Sequence, residues 1–250
     1  MNQGILDAHR KGVLTATTLM ANGDAFEHAV GCARDTPSLD VGVHLVLVQG
    51  ESVAVPGRAL PATLQDLARA LLRREIAVHD EAVAQIRRIL AAGIRPSHID
   101  THKHTHLFPP VLDAVARVAH EFGIPWVRRP FDFGTGGGVR MAKRAVAAGM
   151  KLMRPRFAKT LAGLRMTDHF TGFHFTGTLD AAAMLGALEN LPEGLTEFMC
   201  HPGLCGPELQ AAATRLKESR AVELAALMSP EVRRVIERRG IELTNYRLTA

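Results

Sequence analysis

The chain has one tryptophan, one tyrosine and three cysteines in 250 residues. Cys32, Cys200 and Cys205 form no paired framework and no C-x-x-C spacing. That excludes a disulfide scaffold or thiolate metal site and fits a reducing, cytoplasmic setting. No apolar run approaches the roughly 20 residues that span a bilayer, and the first residues do not read as a secretory signal. G-x-G-x-x-G and G-x-x-x-x-G-K-S/T are both missing, so a nucleotide fold has little support. Acidic side chains are absent between Phe133 and Thr167, where eight basic ones fall; the rest of the chain has 22 basic and 25 acidic residues. The formal charge of +5 therefore belongs to one segment. That segment has no interleaved aromatics, which argues against nucleic acid as a partner. It reads first as a solvated helix face. Peripheral contact with an anionic membrane surface through 140–165 is the alternative.

What is present fits one large globular domain over 1–250, with 47% hydrophobic and 22% charged residues. Length alone also allows two small domains, but α/β barrels commonly reach this size as one unit. Strand-like and helical stretches alternate. Strands are expected at 13–21, 39–48, 97–106, 124–130, 194–203 and 241–247. Helices are expected at 25–35, 63–92, 109–123, through the basic segment, at 180–191 and as a pair over 207–240. This order implies a mainly parallel sheet covered by helices, and a barrel rather than a nucleotide fold. "FGTGGGV" (133–139) reads as a mobile loop. In barrels, chemistry sits at the C-terminal ends of strands.

Histidines gather at those ends. "SHIDTHKHTH" (97–106) carries His98, Asp100, His102, His104 and His106 at alternate positions, so a strand would turn all five to one face. Five ionisable groups in a barrel interior would be costly to desolvate. The strand is therefore expected to end near His102, with "KHTHLFPP" continuing as a loop at the mouth. His98, Asp100 and His102 would then climb one face over about 13 Å. Neutral imidazole is a common ligand for divalent ions and takes an outer partner on its second nitrogen. His44 lies in the apolar strand "VGVHLVLV", and His201 in "MCHPG" sits at another strand end. Asp168, His169 and His174 of "TDHFTGFHF" read as loop or substrate-rim residues.

The stretches "NQGILDAHRKGVLTATTLMANG", "VGVHLVLVQG", "SHIDTHKHTHLFP", "WVRRP" and "TEFMCHPG" resemble, in order, the motifs of the YdjC-like carbohydrate deacetylases. "LPEGLTEFMCHPG" and the basic segment before "TDHFTGFHF" are similar to a branch associated with hopanoid biosynthesis. The resemblance implies a distorted (β/α) TIM-like barrel that removes an N-acetyl group from a sugar or glycolipid with a divalent metal, Mg²⁺ or Zn²⁺. It also suggests a homo-oligomer. By motif it makes His44 and His102 metal ligands and His201 the acid that protonates the leaving amine. His98, His104 and Arg128 become residues around the substrate. One departure stands out: the family begins with a strand ending in an Asp-Asp pair, just upstream of the equivalent of Asn2. Those carboxylates include the usual base, and Asp7 does not simply replace them. Asp100 is the nearest carboxylate on the metal face and stands as substitute base. Two other readings stay open, another metal-dependent amidohydrolase or phosphoesterase and a barrel that binds a glycan without turning it over.

Overall fold

The computed structural model describes residues 1–133, 141–212 and 214–249, and the glycine-rich loop lies outside them from Gly134 onward. Along the chain come α1 (Asn2–Lys11), β1 (Ala16–Leu19), α2 (Phe26–Arg34), β2 (Asp40–Leu45), α3 (Leu64–Leu72) and α4 (Val78–Ala91). Then follow β3 (His98–Thr101), a 3-10 turn (His102–Leu107), α5 (Pro109–Glu121) and β4 (Trp126–Val127). The second half holds α6 (Met141–Lys151), α7 (Arg154–Thr160), β5 (His169–Thr171), α8 (Ala181–Glu189) and β6 (Thr196–Phe198). It ends with α9 (Pro207–Ala211), α10 (Glu218–Leu227) and α11 (Pro230–Arg238). Every pairing between these strands is parallel, as the alternation of elements requires.

The residues divide into two compact units. One comprises Ala16–Arg128, Met153–Met166 and Asn245–Ala250 and holds a four-stranded sheet in the order β1-β2-β3-β4. Val41, Val43 and Ile99 fill it as a buried β-branched run, the pattern of a sheet covered on both faces. Helix α4 is fastened to the end of β2 by one side chain. Gln85 accepts from the Val46 N–H at 2.9 Å and donates to the Val46 carbonyl at 2.7 Å, so a buried amide satisfies both backbone groups of that residue. Glu81, one turn earlier, accepts from Gln85, from the Ser52 hydroxyl and from the backbone N–H groups of Val53 and Ala54.

The other unit comprises Met1–Thr15, Arg129–Leu152 and Thr167–Thr244. It contains the β5–β6 pair and an apolar cluster of Ala8, Val13, Met184, Leu188, Leu224, Leu227, Val232 and Ile236. Two of its helix starts carry side-chain caps. Asp180 accepts from the Ala183 N–H at 2.8 Å, and Ser229 accepts from Glu231 ahead of Pro230.

Four expectations change. The single helix at 63–92 is two, because α3 closes in a Schellman motif in which Glu75 and Arg74 donate to the carbonyls of Ala70 and Leu71. Arg74 takes the left-handed conformation there (φ 56°) without the usual glycine, so no residue signal marks the break. The basic stretch is also two helices, with Pro155 in the first turn of α7. The pair over 207–240 is three, since Pro230 opens α11. No strand forms at 241–247. Asn245 Oδ1 accepts from the N–H groups of Arg247 and Leu248, and this Asx turn bends the tail. Tyr246 thereby stacks on His98 at 3.9 Å between ring centroids and meets Trp126 edge-on at 5.7 Å. Arg247 reaches the buried Asp40 at 2.9 Å.

Gly42 on β2 faces that same histidine. A Cβ there would lie 2.6 Å from three atoms of the His98 ring. Gly42→Ala is expected to destabilise by about 1–3 kcal/mol through overpacking. Combined with His98→Ala it should cost less than the two single changes together, because the clash partner is gone. Urea unfolding of the four-member cycle checks this, and strict additivity would contradict the contact.

Candidate active site

The site grows from one cross-strand pair. Parallel register sets His44 of β2 opposite Asp100 of β3. His44 Nδ1 lies 2.6 Å from Asp100 Oδ1, and the Thr18 hydroxyl on β1 approaches the same nitrogen at 3.3 Å. The other Asp100 oxygen is ion-paired with Arg128, just beyond β4. Three neighbouring strands thus converge on one carboxylate that is only 1% exposed. Burial alone would raise this carboxyl, but Arg128 and His44 outweigh it and hold it well below the usual carboxylate range.

With Nδ1 of neutral His44 donating to Asp100, its Nε2 carries the lone pair. Nε2 lies 3.3 Å from His102 Nδ1. Ligand nitrogens at the 2.0–2.1 Å typical of zinc and at a tetrahedral angle sit about 3.4 Å apart, so the pair fits as two ligands of one ion. Among the described residues no group of three or more His, Cys, Asp or Glu side chains is arranged to hold a metal, so the rest of such a shell is not supplied by them.

The strand ends at Thr101, one residue before the expected point, and the chain turns sharply. Lys103 and His104 are both left-handed (φ 53° each), a conformation that non-glycine residues adopt at a cost of order 1–3 kcal/mol each. This double turn takes His104 and His106 off the alternating face. His106 is fully buried. Its Nδ1 lies 2.5 Å from the Thr101 hydroxyl and its Nε2 lies 3.2 Å from the Arg128 carbonyl. Its ring packs on Phe157 of α7. His104 is nearly buried and meets His106 edge-on.

His98 does share the Asp100 face, as alternation requires, but lies deeper. It is 2% exposed, 2.8 Å from the Ser97 hydroxyl and under Tyr246. Gly42 and Tyr246 close on the ring of His98, expected as a residue around the substrate. Arg128 points its charge at Asp100. Both oxygens of Asp100, expected as substitute base, are engaged, one by His44 and the other by Arg128.

In the other unit, His201 follows β6 and is partly exposed. Glu223 of α10 accepts its backbone N–H at 2.5 Å and lies 3.7 Å from its Nδ1. The three expected rim residues serve as ties. Asp168 accepts from the Leu195 N–H, His169 Nε2 lies 3.1 Å from the Glu193 carbonyl, and His174 is buried with Nδ1 2.8 Å from Asp132. Sequence reasoning missed Thr18, whose place on a β-branched strand gave no chemical signal, and Glu223, one acid among many on helices.

The YdjC-like protein family matches residues 1–238. The chain belongs to this family. It is 31% identical to a carbohydrate deacetylase of Brevibacillus brevis (strain 47 / JCM 6285 / NBRC 100599), over 98% of this chain and 92% of that protein. It is 30% identical to one of Geobacillus stearothermophilus, over 99% of this chain and 91% of that protein. A crystal structure from Enterococcus faecalis V583, described provisionally as a cellobiose-phosphate cleavage protein, superposes with a TM-score of 0.76 at 26% identity. It covers 100% of this chain and 93% of that one. The fold class read from the sequence, α/β with parallel strands of the TIM-like barrel type, is the one this likeness supports.

Burial pushes the imidazoles of His98 and His106 down to about 3 from 6.5. Between those values the unfolded chain takes up protons that the folded chain refuses, so stability should fall as pH drops through this window. At pH 5 each ring should cost about 2 kcal/mol relative to pH 7. A urea midpoint that does not move between pH 7 and 5 would contradict neutral burial. Asp100→Asn leaves the Arg128 guanidinium without its buried counter-charge and should destabilise by about 3–5 kcal/mol. By releasing the His44 ring it should also weaken divalent-ion binding about 10–100-fold, read by calorimetric titration of the folded variant.

Proposed function

We propose that the chain hydrolyses the N-acetyl amide of an amino sugar and releases acetate. The observation that carries the reading is the His44–His102 nitrogen pair, aimed by Asp100, in a chain of the YdjC-like family. The carbohydrate deacetylases it matches supply the substrate class.

His44 and His102 are the residues that would hold a divalent ion, and the ion, when bound, supplies Lewis acidity toward water and the acetyl carbonyl. Asp100 and Arg128 keep His44 in the tautomer with its lone pair turned outward, so the ligand is set before binding. His201 is the acid for the departing amine, a role taken from the family motif and suited to a partly exposed imidazole with a carboxylate behind it. The proton of the attacking water goes to a base, a role the resemblance gives to the family's Asp-Asp pair, which this sequence does not contain. Likeness to the hopanoid-associated branch favours a lipid-linked N-acetylglucosamine over a free chitooligosaccharide. The large exposed side chains Met141, at the start of basic α6, and Leu152, just past its end, suit a membrane surface.

The test is acetate release from N-acetylglucosamine oligomers and from an acetylated glycolipid in anionic vesicles, with Mg²⁺ or Zn²⁺ added. It is run on this chain and on one extended upstream by the family's first strand. His44→Ala and His102→Ala should abolish turnover and lower ion affinity together. Full ion binding by His102→Ala would sink the metal reading. Vesicle binding that ignores both salt and anionic lipid would remove the membrane reading. Glycan binding without acetate from either chain would favour a binding protein, an outcome that the commitment of Asp100 to His44 and Arg128 makes worth measuring.

A further inference from the structure

We infer that Glu223 is a positioning residue that fixes the tautomer and orientation of the His201 ring. The inference rests on the proposed reading for the role of His201, and on geometry alone for the hold itself.

Glu223 lies in the middle of α10 and is 1% exposed, an unusual place for a carboxylate. Its Oε2 accepts the His201 backbone N–H at 2.5 Å and faces the ring Nδ1 at 3.7 Å. Its Oε1 is buried without a hydrogen-bond partner. A buried carboxylate with an unused oxygen is costly, and such groups in native proteins call for an explanation. Arg220, one turn earlier, completes the arrangement. Its guanidinium donates to the His201 carbonyl at 3.4 Å, and its own carbonyl accepts the Gly203 N–H at 3.1 Å. Burial lowers the Arg220 pKa and Glu223 raises it, so the two charges lie within electrostatic reach. Helix α10 therefore holds the 201–203 turn at both ends.

The 3.7 Å separation is longer than a hydrogen bond. A small rotation of the partly exposed ring brings Nδ1–H onto Oε2 or the unused Oε1. The carboxylate then stabilises the tautomer with the proton on Nδ1, and Nε2 is left as the nitrogen that exchanges a proton with substrate. Without a carboxylate behind Nδ1, the ring has no reason to prefer that state.

Nitrogen-15 NMR of the His201 ring at a pH where it is neutral tests this, with the resonance assigned by its loss in His201→Asn. Wild type should show the proton on Nδ1. Glu223→Gln, with its amide oxygen at the Oε2 position, keeps the backbone N–H but offers Nδ1 only a neutral acceptor beside an NH₂ donor, so the Nδ1–H tautomer should lose its preference and the proton should shift toward Nε2. Its kcat for acetate release should fall by about 10² or more with KM within about twofold, as loss of a tautomer-fixing carboxylate does elsewhere. Glu223→Asp keeps the carboxylate and should retain the wild-type tautomer and part of kcat. Should Glu223→Gln not fold, the wild-type and Glu223→Asp spectra decide between the two tautomers. A wild-type proton on Nε2, or a ring unchanged in Glu223→Gln, overturns the inference. A fall in kcat that only tracks the folded fraction overturns it too. If neither this chain nor the extended one releases acetate, the proposed function fails separately, and the ring spectra still decide whether Glu223 sets His201.

Discussion

A single carboxylate organises the sheet-bearing unit. Asp100 is enclosed by protein, and an isolated charge there would carry a desolvation penalty of several kcal/mol. Arg128 and His44 make it tolerable, and each is held where it is by the need to answer it. Arg128 is anchored past β4, His44 stands in register on β2, and Thr18 adds a hydroxyl from β1. The pairing of strands and the aim of the imidazole are therefore one problem with one solution. A shift of register by one residue would turn His44 to the opposite face and leave the buried charge with half its partners.

The deeper layer follows from the same face. His98 lies two residues before Asp100, and β2 answers its ring with Gly42, which has no side chain to offer. Tyr246 closes the other side. His106 sits behind the site, tied to Thr101 and to the carbonyl of Arg128. Two neutral imidazoles thus support a charged pair without competing for its protons. Such a polar layer is stable only when nearly every group is satisfied.

Much of this is legible in the sequence, and the reason is local. Alternation places His98 and Asp100 on one face without knowledge of the rest of the chain, and an unusual histidine in "VGVHLVLV" announces itself. The family motifs add His201. What stays hidden is non-local or breaks a residue preference. Register between β2 and β3 joins positions 56 apart, and no pattern states it. The ion pair of Asp100 with Arg128 joins "HIDTH" to "WVRRP" only in three dimensions. Arg74 ends a helix in a conformation usually left to glycine, and Lys103 with His104 turns the chain where a strand pattern still runs. "IELTNYR" has the composition of a strand, yet Asn245 bends it and Tyr246 is used as a plug.

That plug bears on how the chain reaches its native state. Residues 16–128 carry the four strands, but Tyr246 must arrive to cover His98, and Arg247 must arrive to answer Asp40. The other unit is interleaved in the same way, joining Met1–Thr15 to Thr167–Thr244. Contacts of such long sequence separation close large loops before they are rewarded, which slows folding and prolongs exposure of apolar strands. On the ribosome, the sheet would wait with His98 uncovered until Tyr246 and Arg247 emerge. A nascent chain of this kind has reason to meet a chaperone first.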